Sequence, residues 1–310
     1  MKIFLIVVLA ILVLFLVVFG VYLTLGYLSY HFAMARNSRF KKKIEERSKK
    51  SYKENEELNK YFNKEDFEEI EVFSNDDLKL KAMYKNKQCQ KLAILVHGYG
   101  GTYKDMYNYA KIYEERGYDI LAIDMRAHGK SEGDFLSFGL YEHYDLLRWI
   151  DKMLEYNKNY KIVLHGVSMG ASTVCMCVGE KLPNNVICVI EDCGYDNAYN
   201  QTYYVFSKMK LKVSFIYKIF YNYLKKTKNL DLKRIDMCSK LKKSSIPMLF
   251  IHGDSDNFVP TEMVYKLYEC LPDTRRVLYI SKDTTHAVSI ENDFKEYKRH
   301  VNKFLDKYCM

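Results

Sequence analysis

The feature that most constrains the fold is an alternation of short apolar runs with amphipathic segments, which begins near residue 66. The apolar runs are typical of strands buried on both faces, and the segments between them have the period of helices. Repeated strand–helix units predict a mostly parallel sheet with helices on both faces, so the fold class is α/β. The predicted parallel strands are residues 92–96, 120–123, 162–164, 186–190, 248–251 and 277–280.

Two segments do not follow this alternation of strands and helices. Residues 67–73 and 78–84 predict an antiparallel pair of strands joined by a polar turn. After residue 195 the alternation stops, and residues 195–243 read as a Tyr- and Lys-rich helical insertion, or cap. We therefore expect one domain over residues 66–310 that carries a cap.

The amino-terminal segment is long and apolar. No charged residue occurs from Ile3 to Tyr30, and residues 3–21 are continuously apolar apart from Gly20. A helix of about 20 such residues spans a bilayer, whereas the apolar part of a signal peptide is only about 7–15 residues long. Residues 1–30 are thus predicted to be an uncleaved transmembrane anchor, although Ala33-Met34-Ala35 resembles a cleavage site and leaves processing open.

Basic residues follow the anchor directly. Arg36, Arg39 and residues 41–43 are basic, whereas the other flank offers only Lys2 and the amino terminus. The positive-inside rule then predicts a single-pass protein of the cell membrane with its domain in the cytoplasm. Residues 44–64 alternate in charge without a clear apolar period, so residues 31–65 are predicted to be a basic and polar linker, either helical or flexible.

The net charge of +9 is concentrated in two zones. Residues 36–60 carry ten basic and five acidic residues, and residues 200–243 carry twelve basic and two acidic residues. With no nucleic-acid-binding module in the sequence, this pattern argues against nucleic acid as a partner. A basic cap and flank fit an anionic membrane surface, and solvated Lys-rich helices are the alternative.

The eight cysteines include no C-x-x-C pair. Cys188 lies in an apolar run, and Cys175 and Cys177 lie in a predicted buried helix. We expect free, buried thiols that behave as small hydrophobic side chains, which favours a reducing compartment.

The chemistry is predicted from Gly166-Val167-Ser168-Met169-Gly170, which joins an apolar strand to a helix. This is the context of a nucleophile elbow, where small flanking residues permit a sharp turn that exposes the serine hydroxyl. A serine hydroxyl needs a base to take its proton. Ser168 is thus the predicted nucleophile.

Eight histidines compete for the role of base. His97 and His252 end apolar strands just before a glycine, where a histidine commonly braces a loop. Only His286, in the polar loop after the last strand, follows both the serine and a candidate acid in the order Ser, Asp, His. The acid belongs in the loop after residues 248–251, where the spacing alone leaves Asp254 and Asp256 open.

Taken together, these motifs resemble the α/β-hydrolase superfamily over about residues 66–307, and in particular bacterial serine aminopeptidase-like and lysophospholipase-like hydrolases. The motifs are His97-Gly98-Tyr99-Gly100-Gly101, Asp124-x-Arg126-x-His128-Gly129-x-Ser131, the elbow, and the two terminal loops with Asp and His. In such proteins the acid belongs to a Gly-x-x-Asp-x-x-Val-Pro pattern, which here falls on Gly253 and Asp256. The resemblance therefore implies Asp256.

The resemblance also implies an oxyanion hole formed by the backbone N–H groups of Met169 and Tyr99. No metal or organic cofactor is implied. The expected protein is a membrane-anchored serine hydrolase that cleaves an ester or amide acyl bond of a small or lipid-like substrate. The alternatives are a serine aminopeptidase-like peptidase, for which Glu191 or Asp192 would hold the substrate amine, an acyltransferase, and a non-catalytic receptor or scaffold.

Overall fold

The computed structural model describes residues 1–54, 56–62, 66–208, 213–272 and 274–309. Within them, one sheet has eight strands in the order β1-β2-β4-β3-β5-β6-β7-β8. Strands β1 and β2 pair antiparallel, β2 also pairs antiparallel with β4, and all other pairs are parallel. The strands are β1 (Phe67–Phe73), β2 (Lys79–Lys85), β3 (Lys91–Val96), β4 (Asp119–Ile123), β5 (Lys161–Val167), β6 (Val186–Asp192), β7 (Met248–Gly253) and β8 (Arg276–Ser281).

Helices cover both faces of this sheet. Successive side chains of β3 alternate between two cores: Leu92, Ile94 and Val96 belong to one, and Ala93 and Leu95 belong to the other. The predicted fold class is confirmed. The helices are α1 (Lys2–Ala33), α2 (Arg39–Glu54), α3 (Glu56–Tyr61), α4 (Tyr107–Glu114), α5 (Glu142–Tyr156), α6 (Met169–Cys177), α7 (Ala198–Ser207), α8 (Val213–Thr227), α9 (Met237–Leu241), α10 (Glu262–Cys270), α11 (Ser289–Asn292) and α12 (Phe294–Tyr308), with 3-10 helices at Tyr103–Met106 and Leu232–Arg234.

Helix α1 is long and apolar enough to cross a membrane. Its first part projects from the domain, and its apolar side chains through Leu23 are largely exposed. Farther along, Gly26 and Tyr30 are buried against α8, where a Cβ on Gly26 would come within 2.7 Å of Tyr223. The helix thus ends inside the folded domain and not at residue 30.

The segment expected as a linker contains α2 and α3, and it is joined to the domain. The guanidinium of Arg36 donates to the carbonyls of Gly129 at 3.0 Å and Ser131 at 2.5 Å. Lys41 is only 2% exposed; its ammonium donates to the carbonyl of Ala127 at 2.5 Å and pairs with Glu45 at 3.0 Å. Part of the basic flank therefore satisfies carbonyl groups of the domain.

The cap consists of α7, α8 and α9, together with the second 3-10 helix. Phe206, Ile219, Phe220 and Leu224 are buried, so much of its apolar face packs within the protein. Phe215 remains 65% exposed. Lys210 and Lys212, two of the basic residues in this zone, lie outside the described residues.

The expectation of free thiols is wrong for four cysteines. Cys188 in β6 is bonded to Cys309 after α12, and Cys238 in α9 is bonded to Cys270 at the end of α10. Residues far apart in sequence meet here because the sheet brings β6 and the carboxyl-terminal helix together, which spacing alone does not reveal. Cys175 and Cys177 are free and buried in α6, as expected.

Candidate active site

Ser168 occupies a strained turn between β5 and α6. Its φ is 55° and its ψ is −115°, a conformation that costs energy for a residue with a side chain. A Cβ on Gly166 would lie 2.2 Å from the carbonyl oxygen of Gly170, and one on Gly170 would lie 2.1 Å from the carbonyl oxygen of Val96. The two glycines are therefore required for the sharp turn and the close packing of α6 on β3.

Ser168, His286 and Asp256 meet at the carboxyl edge of the sheet. The Oγ of Ser168 lies 2.8 Å from Nε2 of His286, and Nδ1 of His286 lies 2.7 Å from Oδ2 of Asp256. This geometry lets the hydroxyl donate to the imidazole while the imidazole donates to the carboxylate. The structure thus brings together the three residues predicted as nucleophile, base and acid.

Asp256 is held by four donors. The backbone N–H groups of Phe258 and Val259 donate to its Oδ1 at 2.8 and 2.9 Å, and His252 approaches its Oδ2 at 3.1 Å beside His286. Burial would raise the pKa of Asp256, but the hydrogen bonds from His252 and His286 bring that pKa well below its usual range. Asp256 is therefore a carboxylate at any pH near neutrality.

Asp254, the other candidate acid, is exposed and does not contact His286. Its carboxylate accepts from the Ser255 hydroxyl at 3.0 Å and from the backbone N–H of Thr284 at 3.3 Å. These bonds tie the loop of Asp254 to the loop that carries His286. The geometry therefore separates the two aspartates that spacing left open.

The loop predicted to supply the oxyanion hole lies against Ser168. A Cβ on Gly98 would come within 3.3 Å of the Ser168 Cβ. Two buried histidines brace the loop region: His97 accepts from the backbone N–H of Met125 at 3.1 Å, and His128 accepts from that of Gly100 at 3.1 Å. Burial lowers the pKa of both imidazoles, to about 4 for His97, so they act as neutral acceptors.

The N–H groups of Tyr99 and Met169 are candidates for the oxyanion hole by position. Met169 is the first residue of α6, where a helix leaves its amides unpaired. Neither of the two amides donates a hydrogen bond to another group of the described chain. Both are thus free to donate to a substrate oxygen.

Two cavities meet at Ser168. The first, called the apolar pocket, is a narrow cavity of about 50 Å³. Its lining contains no charged residue: Phe32, Ala33, Phe40, Tyr99, Phe138, Ser168, Met169, Tyr195, Gln201, Thr202, Val205, Phe206, Phe258 and Val259. The second, called the polar cleft, is lined by Ile44, Ser48, Gly98, Tyr99, Gly101, Asp105, Met106, Tyr109, Val167, Ser168, Phe258, His286, Ala287 and Glu291. Ser168, Tyr99 and Phe258 belong to both cavities.

Glu191 and Asp192 are fully buried at the end of β6 and line neither cavity. Glu191 accepts from the backbone N–H of Gly194, and Asp192 accepts from the Tyr297 hydroxyl at 2.7 Å. Burial raises the pKa of Glu191 to about 8 and that of Asp192 to about 6. They are therefore part of the support beneath the site and are not placed to hold a substrate amine.

No group of three or more His, Cys, Asp or Glu side chains in the described residues is arranged to hold a metal ion.

Sequence reasoning missed two kinds of site residue. It treated His252 as a loop brace, whereas this side chain contacts the carboxylate of Asp256 as well as the carbonyl of Val259. It also missed Phe32, Ala33 and Phe40, which reach the apolar pocket from the segment predicted to be a linker. The position of His252, four residues before Asp256, was a sequence signal that could have indicated its contact with the acid. No such signal exists for the pocket residues of α1 and α2, because their position depends on tertiary packing.

Two family models match the chain. The model described as serine aminopeptidase, S33 matches residues 87–191, and the model described as serine hydrolase (FSH1) matches residues 140–297. The second match covers 158 of the 310 residues, about half of the chain. Both ranges include Ser168, and the second also includes Asp256 and His286.

The chain is also similar to individual proteins. The uncharacterized protein YqkD of Bacillus subtilis is 28% identical over 216 residues, 69% of this chain and 70% of YqkD. The Pyrococcus furiosus esterase Pf2001 is 25% identical, with a TM-score of 0.63 over 78% of this chain and 91% of the esterase. Est1E of Butyrivibrio proteoclasticus, solved with ferulic acid bound, is 17% identical, with a TM-score of 0.60 over 77% and 98%, and this likeness concerns the fold alone. With its eight-stranded sheet, its elbow and a family match over half of its length, the chain belongs to the serine hydrolases of the α/β-hydrolase superfamily.

Proposed function

We propose that the protein is an esterase in which Ser168 attacks the carbonyl carbon of an apolar acyl ester. The observation that carries this proposal is the Ser168 hydroxyl, 2.8 Å from His286 Nε2 and at the junction of the apolar pocket and the polar cleft. A nucleophile between an apolar and a polar cavity suits a substrate with an acyl chain on one side and an alcohol on the other.

The reaction proceeds in two acyl transfers. As Ser168 Oγ bonds to the carbonyl carbon, His286 Nε2 takes the hydroxyl proton, and the carbonyl oxygen becomes an oxyanion that accepts from the Tyr99 and Met169 amides. The carbon–oxygen bond to the alcohol then breaks, and the imidazolium gives its proton to the leaving oxygen. Water attacks the acyl-enzyme by the same route, with His286 again as base, and releases the acid and free Ser168.

The proton transfers indicate which part of the substrate lies in each of the two cavities. The leaving oxygen must receive a proton from His286, which lines the polar cleft and does not line the apolar pocket. The alcohol therefore lies in the polar cleft. The acyl chain extends past Met169 into the apolar pocket, where its burial contributes about 0.8 kcal/mol per methylene group.

The same assignment weighs against an aminopeptidase. A free substrate amine would lie on the acyl side of the scissile bond, and the apolar pocket has no carboxylate in its lining. Glu191 and Asp192, the residues considered for this role, are fully buried elsewhere. An ester with an uncharged acyl chain fits this pocket better than a peptide amino terminus does.

A non-catalytic scaffold is disfavoured by the strain at Ser168 and the two short hydrogen bonds that join the triad. Strain of this kind is retained where it serves a function. An acyltransferase would use the same triad and differ in its acceptor, because an alcohol would then replace water in the second step. Product analysis with added alcohol separates the two reactions.

Membrane attachment through α1 is part of the proposal, and two observations bear on the side of the membrane on which the domain lies. Basic residues follow the apolar segment, and this favours a cytoplasmic domain. The two disulfides favour an oxidising compartment instead. We propose the cytoplasmic side because flanking charge acts during insertion; the bonds then form only once the protein meets an oxidant.

Alkylation with a membrane-permeant maleimide in intact cells tests this placement. Labelling of Cys238 and Cys270 before lysis is the expected result, since cytoplasmic thiols stay reduced. Protection of both cysteines, together with protease access to the domain from outside, would place the domain on the other side.

The cap is proposed to face the same membrane. Tyr223 packs on Gly26 and the Lys228 ammonium lies 4.7 Å from the Tyr30 ring, so α8 runs in the direction of α1. Phe215 precedes Tyr223 by eight residues, about 12 Å along the helix toward the projecting part of α1. Exposed Lys208 and Lys218 are near this end in sequence, and each basic residue near an anionic surface contributes about 1 kcal/mol.

Replacing Lys208 and Lys218 by glutamate in the full chain, held in anionic or neutral lipid nanodiscs, tests the cap. The double variant should lose any preference for anionic discs with a long-chain lipid ester and keep its rate with a short soluble ester. Equal loss of both activities would contradict a membrane-facing role.

The activity itself is tested with p-nitrophenyl esters of rising chain length beside aminoacyl amides, using the full chain in detergent. Hydrolysis of apolar esters above the Ser168→Ala background is the expected result. Cleavage of aminoacyl amides in preference to every ester would overturn the esterase proposal.

A further inference from the structure

The apolar pocket is walled partly by the helix that is expected to cross the membrane. Phe32 and Ala33 are the last two residues of α1, and Phe40 lies in the first turn of α2; all three line this pocket. Another part of the lining comes from α7 of the cap, with Thr202 and Phe206. The anchor is therefore part of the cavity that adjoins Ser168.

Hydrogen bonds on both sides of the turn between α1 and α2 hold this wall in place. The backbone N–H of Arg36 donates to the carbonyl of Asp134 at 2.7 Å, and that of Leu136 donates to the carbonyl of Met34 at 3.1 Å. Met34 is fully buried. With the carbonyl contacts of Arg36 and Lys41, these bonds join residues 34–41 to the loop at 127–136 as a fixed part of the domain.

Aromatic contacts connect the same wall to the catalytic groups. The ring of Phe40 lies 5.6 Å from Phe32, 5.7 Å from Tyr99 and 6.5 Å from Phe258. Phe258 in turn lies 4.9 Å from the imidazole of His286. The Tyr99 hydroxyl also donates to the carbonyl of Ala33 at 3.0 Å. A chain of direct contacts thus runs from the end of the anchor to the base.

The position along α1 brings the pocket close to the lipid. Side chains up to Thr24 are mostly exposed, and Gly26 begins the packed part. Phe32 follows Thr24 by eight residues, so it lies about 12 Å farther along the helix. This distance exceeds the depth of the headgroup layer, roughly 5–8 Å on each side of the hydrocarbon core, by only a few ångströms.

We propose that the end of α1 and the start of α2 form a substrate-binding element, in which Phe32, Ala33 and Phe40 contact the acyl chain and determine the chain length that the enzyme accepts. The inference rests on the proposed esterase function and adds to it the part of the site that selects the substrate. It assigns to the anchor a second role besides attachment, and the acyl ester is one drawn from the adjoining lipid surface.

Filling the pocket from the anchor side tests this assignment. Ala33→Trp adds a large ring at the wall, and Leu28→Trp adds the same ring on the exposed face of the same helix, where Leu28 is 56% exposed. For each full-length protein in detergent, kcat/KM is measured with p-nitrophenyl decanoate and p-nitrophenyl acetate. The decanoate-to-acetate ratio should fall about tenfold or more in Ala33→Trp and stay within about twofold in Leu28→Trp.

A fluorophosphonate active-site count accompanies each measurement, so that only folded enzyme is compared. If Ala33→Trp yields no labelled protein, Phe40→Ala provides the opposite change, because a widened pocket shifts the preferred ester to a longer chain. An unchanged ratio in a labelled Ala33→Trp variant, or an unchanged chain preference in Phe40→Ala, would overturn the inference and leave the esterase proposal standing. A wild-type protein that hydrolyses no ester would overturn the esterase proposal itself.

Discussion

The reactive groups and the acyl-binding walls are built in different ways. Ser168, Asp256 and His286 lie on short loops that follow strands β5, β7 and β8, and hydrogen bonds fix them. The apolar pocket takes half of its lining from α1, α2 and α7, and α7 is far from the other two helices in sequence. These helices contribute mainly aromatic and aliphatic side chains to the lining.

This difference separates catalysis from selection. A polar cluster with fixed distances loses its function when one donor or acceptor is removed, because the remaining groups no longer hold the right protonation state or orientation. An apolar wall tolerates changes that keep it filled, and such changes alter which substrate fits. Substitutions at the loops should therefore lower the rate for every ester, whereas substitutions at the walls should change the preference among esters.

Asp256→Asn should have the largest effect on catalysis. The asparagine amide favours the wrong tautomer of His286, so kcat should fall by about 10⁴-fold for short and long esters alike. Asp254→Asn is the matched control, since Asp254 is exposed and does not contact His286, and its kcat should stay within about threefold. Steady-state kinetics decide the matter, and the reverse ranking would show that the wrong aspartate has been assigned.

His252→Ala should give the next largest effect. His252 approaches the Asp256 carboxylate at 3.1 Å and the Val259 carbonyl at 3.0 Å, so its loss removes a support from the acid. We expect kcat to fall roughly 10- to 100-fold with every ester, by analogy with the loss of residues that orient the ligands of a metal site. His252→Gln should recover part of the rate because its amide can still donate. His300→Ala, a change on α12, is the control, and a loss of equal size there would contradict the prediction.

Tyr99→Phe tests the hydrogen bond between the loop that follows β3 and the end of α1. The change removes the hydroxyl that donates to the carbonyl of Ala33 while keeping the ring and the backbone amide. A hydrogen bond of this kind contributes about 1 kcal/mol, so kcat/KM should fall by about fivefold. Tyr144→Phe, at an exposed tyrosine, should change kcat/KM little. A Tyr99→Phe enzyme with unaltered kinetics would show that the anchor does not support the oxyanion loop.

Glu191→Gln should have the smallest effect on catalysis and a visible effect on stability. Burial raises the pKa of Glu191 to about 8 in the folded protein, so between pH 5 and about 8 the folded state binds a proton that the unfolded state has released. Stability from this group therefore falls as pH rises, with a slope of at most about 1.4 kcal/mol per pH unit. Thermal unfolding midpoints from pH 5 to 8 should decline less in Glu191→Gln than in the wild type. Midpoints that decline equally with pH in the variant and the wild type would contradict this prediction.

The local parts of the molecule were predictable from sequence. The elbow was predicted because Gly166 and Gly170 are required sterically within five residues, and the strands were predicted because continuous apolar runs are typical of a buried parallel sheet. The choice of Asp256 over Asp254 came from a resemblance, and in the structure it depends on which carboxylate faces His286.

The parts that depend on long-range packing were not predictable. Nothing in the charged sequence around Lys41 indicates that its side chain is buried against the carbonyl of Ala127, 86 positions later. The pairing of Cys188 with Cys309 likewise requires β6 and the end of α12 to meet. The composition of residues 1–30 predicted a long apolar helix, and gave no sign that this helix continues to Phe32 and Ala33, which line a cavity at Ser168.

The central claim is that Ser168 is an activated nucleophile, and covalent labelling tests it most directly. The full-length protein in detergent is treated with a fluorophosphonate probe, and the modified peptide is identified by mass spectrometry. The account predicts modification at Ser168, its loss in Ser168→Ala, and its strong reduction in His286→Ala, because the base that takes the hydroxyl proton is then missing. Modification of another residue, equal labelling of Ser168→Ala, or no labelling of folded wild-type protein would contradict the account.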